Sequence, residues 1–85
     1  MSKPTASQVI EAIADFLANC HDLSIEDIES EFRAVMLESF PNLKSDFLAN
    51  VYTQFMRLDP ETRFNPIFDH KAFVRAAYEN QEVLR

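Results

Sequence analysis

With 85 residues the chain has room for one domain, expected to span residues 1–85, and 47% hydrophobic content with eight Phe supplies a core that disordered chains lack. No glycine is present. The positive-φ loops that cradle phosphates, bind dinucleotides or hold a nucleophile on a strained elbow are therefore largely closed to it, and a net charge of −6 disfavours nonspecific attraction to nucleic acid or anionic lipid.

The apolar residues recur at spacings of three and four, which predicts helices throughout, with no internal repeat or linker. The opening Met1-Ser2-Lys3-Pro4-Thr5 carries one basic residue and no apolar stretch of the secretory kind. No apolar run approaches the ~20 residues that a membrane helix needs. The lone Cys20 cannot form an internal disulfide, and the expected setting is a reduced cytoplasm.

The first helix is predicted from about Ala6 to Cys20. Thr5 caps it, and Gln8 stands in the capping-box position. Val9, Ile10, Ile13, Phe16, Leu17 and Cys20 form its inward stripe, while Ala12, Ala14 and Ala18 add helix propensity on other faces. The second helix starts after Ser24, with Glu26 and Asp27 in its first turn, where carboxylates favour the exposed N–H groups. Ile25, Ile28, Phe32, Val35 and Met36 are expected to face inward, with Leu37 off that stripe, and Phe40-Pro41 ends the helix.

The third helix takes either Asn42 or Ser45 as its cap and buries Leu43, Phe47, Leu48, Val51, Phe55 and Leu58. Asp59-Pro60 then starts a single turn to Arg63. Asn65-Pro66 opens the last helix, either directly or after a break capped by Asp69. Phe73, Val74, Ala77 and Tyr78 line that helix, and residues 1–5 and 80–85 are expected to fray. The expected fold is all-α, a small bundle or orthogonal array of four main helices plus a short turn near Pro60.

Charge is unevenly placed. Residues 1–40 carry Lys3 and Arg33 against eight carboxylates, whereas residues 41–85 carry six of each sign, so the whole net charge sits on the first two helices. Asp27, Glu31 and Glu38 fall along one flank of the second helix, and Glu26 lies on the other side. An acidic docking face for a basic protein and a merely solvated face both fit this pattern.

The remaining constellations argue against chemistry. The carboxylate pairs Glu11/Asp15 and Asp27/Glu31 sit on outward faces, without the cleft that acid–base catalysis requires. Cys20, His21 and His70 lack zinc spacing. A thiolate is disfavoured beside Asp22 at a helix C-terminus. The segment Asp22 to Glu31 has Ile25 and Ile28 where a calcium loop needs oxygen ligands.

Phe64, Ile67 and Phe68 form either a lid over the core or an exposed aromatic anchor. Lys71, Arg75, Arg57 and Arg63, with Lys44, Asn50 and Gln54, give only a weak DNA-reading helix against the acidic total.

The expectation is a non-enzymatic, cofactor-free and metal-free protein-interaction module: a small regulator, adaptor, inhibitor or complex subunit. Its partner-facing residues are expected to be Glu26, Asp27, Glu31 and Glu38, with Phe64 and Phe68 as a second surface, and the partner a protein with a basic surface. The competing expectations are a helix-turn-helix-like DNA-binding regulator and a homo-oligomeric structural protein such as a homodimer.

Overall fold

The computed structural model describes residues 4–84. It is all-α, with five helices among the described residues: α1 (Ala6–Asn19), α2 (Ile25–Ser39), α3 (Ser45–Met56), a single turn α4 (Pro60–Arg63) and α5 (His70–Glu79). A 3-10 turn, Cys20–Asp22, follows α1 and carries Cys20 beyond the α-helix proper. The Leu43–Leu84 pairing is an isolated antiparallel bridge, and no strand is present among the described residues.

Local chemistry sets most of these boundaries. The Thr5 hydroxyl accepts from the Gln8 backbone N–H at 3.1 Å, and the Gln8 side chain accepts from the Thr5 N–H at 2.9 Å, completing the capping box. Ser24 caps α2 by accepting from the Asp27 N–H at 3.3 Å. Asp69 caps α5 by accepting from the Ala72 N–H at 2.9 Å, so the last helix begins after a break and not at Pro66. Neither Asn42 nor Ser45 caps α3. Lys44 stands there with no side-chain cap, and its backbone N–H donates instead to the Val83 carbonyl at 2.8 Å.

The core joins Ile13 and Leu17 of α1, Phe32 of α2, Phe47, Val51 and Phe55 of α3 and Val74 of α5. α1 and α5 make the most extensive helix pair, while α2 rests on α1 and α3. Phe16 and Phe32 pack at 5.5 Å between ring centroids, and Phe55 and Phe73 meet edge-on at 5.9 Å. Ala14, expected only to add propensity, is buried in the broad inner face of α1.

Two inward assignments on α2 fail. Ile25 is 63% exposed and Val35 37% exposed. Ile25 occupies the first turn, beyond the edge of the core, and Val35 lies on the flank of the stripe that Ile28, Phe32 and Met36 bury.

Residues 80–84, expected to fray, return to the protein instead. Val83 is buried, Glu82 pairs with Lys44, and the Asn50 amide donates to the Gln81 side-chain carbonyl at 2.9 Å. An apolar Val-Leu step after the helix end gives this segment a reason to fold back, because the second-half core would otherwise lie open beside Leu43. Fraying of residues 1–3 and of Arg85 lies outside the described residues.

Candidate functional site: the acidic flank of α2 and the surfaces around it

The α-helical period of α2 places Asp27, Glu31 and Glu38 on one flank, and all three are exposed, as is Glu26 on the other side. Among the described residues none of these four has an ion-pair partner. The only cation on α2, Arg33, is taken by Glu29 at 3.3 Å in i,i+4 spacing. Val35 adds apolar surface to the flank, one turn after Glu31 and three residues before Glu38. Leu37, left open by the sequence, is half-buried against the core.

The second predicted surface divides. Phe68 packs against the core, its ring edge-on to His70 at 4.8 Å, so that part of the segment acts as a lid. Phe64 remains 38% exposed and Ile67 88% exposed. The structure therefore separates Phe64 from Phe68, a division that no local pattern of residues marks.

Beneath Phe64 lies Arg63, 7% exposed. Its Nη1 donates to the Met56 carbonyl at 3.4 Å and its guanidinium carbon stands 5.4 Å from the centre of the Phe64 ring. The Met56 carbonyl is one of those left unpaired at the end of α3, at the negative pole of that helix. The Arg63 Nε has no hydrogen-bond partner.

Burial pushes the nearby Cys20 thiol above its ordinary value, a backbone hydrogen bond and the positive Arg63 pulling partly the other way. Cys20 donates to the Leu17 carbonyl at 3.4 Å and is a small core residue. His21 is exposed beside Asp22, and a ring nitrogen of His70 hydrogen-bonds the Arg63 carbonyl at 3.0 Å. Among the described residues no three His, Cys, Asp or Glu side chains converge as a metal site would require.

An open groove of about 710 Å³ runs between α1 and the start of α5. Ala12, Ala14, Ala18 and Phe68 line it together with the charged side chains of Glu11, Asp15, Asp69 and Lys71. Sequence reasoning missed this groove. The small residues Ala14 and Ala18, one turn apart, could have marked a low point on α1, but nothing local says that α5 lies beside them.

No helix among the described residues is long and apolar enough to cross a membrane. Comparison of the chain with family models, curated proteins and solved structures finds no match.

Proposed function

We propose that this chain is a protein-interaction module that docks a basic partner through the acidic flank of α2. The observation that carries the reading is the pairing of unpaired carboxylates with apolar surface. Asp27, Glu31 and Glu38 stand exposed with no ion-pair partner among the described residues, and Val35 lies beside them at the margin of the buried stripe. The carboxylates alone would keep the domain dissolved, and the valine beside them adds an apolar contact that a partner can cover. A recognition face uses both, since charge steers the encounter and buried apolar contact slows departure.

Arg63 is buried, Lys44 is engaged by Glu82 and Lys71 reaches loosely toward Glu11, while Arg57 and Arg75 are exposed and have no ion-pair partner among the described residues. These are few cations for the basic stripe that a groove-reading helix would present to DNA.

The test is capture from the native host on three baits: the wild-type chain, the double variant Asp27→Lys/Glu31→Lys, and Val35→Ala. The reading expects a protein retained by wild type, released by salt, and associating about tenfold more slowly with the double variant. The double variant should keep its helices and melt only slightly lower, because Asp27 in the first turn of α2 gives up its favourable interaction with the exposed N–H groups, while Glu31 makes no ion pair among the described residues. A captured protein whose binding ignores both the double variant and ionic strength would overturn the reading.

A further inference from the structure

We infer that the groove between α1 and the start of α5 seats a lysine or arginine side chain of the same basic protein partner. This rests on the reading that the partner is basic, and adds a second, shape-defined contact away from the flank of α2.

Glu11 and Asp15 lie one helical turn apart on α1 and line the groove together with Ala14 and Ala18. Lys71, in the first turn of α5, extends its ammonium toward Glu11, with Nζ 3.9 Å from the carboxylate oxygen. Both side chains are about two-thirds exposed, at 65% and 67%, so the contact is loose and readily exchanged. The chain's own lysine thus displays the chemistry that the groove accepts, an ammonium at the rim.

Asp15 has no such partner. Its carboxylate receives only the Asn19 side-chain amide at 3.3 Å. Asp69 is occupied as the cap of α5. One acid is therefore engaged from within and one is free, in a lining that also includes the methyl groups of Ala14 and Ala18 and the Phe68 ring. An alkyl stem ending in a cation fits this arrangement, since lysine and arginine stems cover apolar surface while the charged head stays at the rim. An anion would meet three carboxylates, and a second copy of this chain would bring another −6.

The probe is an acetylated, amidated 14-residue amphipathic peptide of leucine and lysine, titrated into the isotope-labelled full chain at low salt and followed by amide chemical shifts. A control peptide replaces each lysine with glutamine. The lysine peptide should shift amides of residues 11–18 and 68–71, and the control should not. Asp15→Asn is expected to weaken binding three- to fivefold, about the worth of an exposed ion pair.

Lys71→Gln should tighten binding about twofold, because it removes the internal competitor for Glu11. Ala18→Leu adds bulk to the lining without altering charge and should weaken binding at least as much as Asp15→Asn. Circular dichroism of each variant confirms that the helices are retained.

Absence of binding, an unchanged affinity for Asp15→Asn and Ala18→Leu, or weaker binding by Lys71→Gln would overturn the inference. Shifts confined to α2, abolished by Asp27→Asn/Glu31→Gln, would overturn it too while leaving the acidic-flank reading intact. Capture that ignores salt would instead remove the basic partner itself.

Discussion

Arg63 is the only charged side chain buried among the described residues, and no carboxylate accompanies it. Its compensation is the unpaired carbonyl at the end of α3 and the face of the Phe64 ring, while Nε goes without a partner. A buried cation held this way is replaceable by a side chain of similar volume more cheaply than by truncation. Arg63→Met should stay within about 1 kcal/mol of wild type in urea unfolding, whereas Arg63→Ala, which also leaves a void, should cost about 2 kcal/mol or more.

Cys20 carries a pH consequence. Its thiol is raised above the ordinary value when folded, so the folded state holds the proton more tightly than the unfolded chain does. This contribution to stability is fully present below the unfolded thiol's pKa and is lost as pH rises through the folded one. Stability should decline above about pH 8.5, and Cys20→Ala should flatten that alkaline limb in a series of thermal melts. Native labelling by a thiol reagent should be slow and should quicken sharply on unfolding.

At the scale of elements, the helix starts were legible because they are written in short-range chemistry. Thr5, Ser24 and Asp69 each accept a hydrogen bond from a backbone N–H three residues on. The start of α3 was not legible, since the partner of the Lys44 N–H is Val83, thirty-nine positions away in sequence. The same distance hid the fold-back of residues 80–84. A tail of five residues shows no periodicity, and only the packed neighbour reveals that Val83 has somewhere to go.

The return of the tail can be measured. Ending the chain after Asn80 removes the buried Val83 side chain and leaves the Lys44 N–H without its partner, a loss of about 2–3 kcal/mol by denaturant unfolding. The hydrogen bond and charge of Lys44 hold the Glu82 carboxyl below its usual range. The stabilisation they provide is present above the unfolded glutamate's pKa and disappears as pH falls through the lower folded value. The protection of the Lys44 amide relative to its intrinsic exchange rate should fall below about pH 4, ahead of global unfolding, and Glu82→Gln should erase that dependence.

For the whole molecule, the sequence specified which residues are greasy and roughly where each helix turns, hence the all-α class and the common core. It did not specify how the helices meet. Ile25 and Val35 kept the inward period yet emerged at the margin, because α2 covers only part of the core and its first turn overhangs. The carboxylates of α2 were found by period alone, while the α1–α5 groove exists only once two helices distant in sequence lie side by side.

Among the described residues no φ is positive. Helix ends that other proteins close with a left-handed glycine are finished here by side chains: Asn19 donates to the Asp15 carbonyl at 2.8 Å and Asn80 to the Ala76 carbonyl at 2.7 Å. Many domains have an Achilles heel in such hinges, where adding one methyl group forces a main-chain torsion that ordinary amino acids resist. This polypeptide offers no such target. An alanine scan along its connections, the prolines aside, would report the worth of each side chain with no positive-φ penalty mixed in.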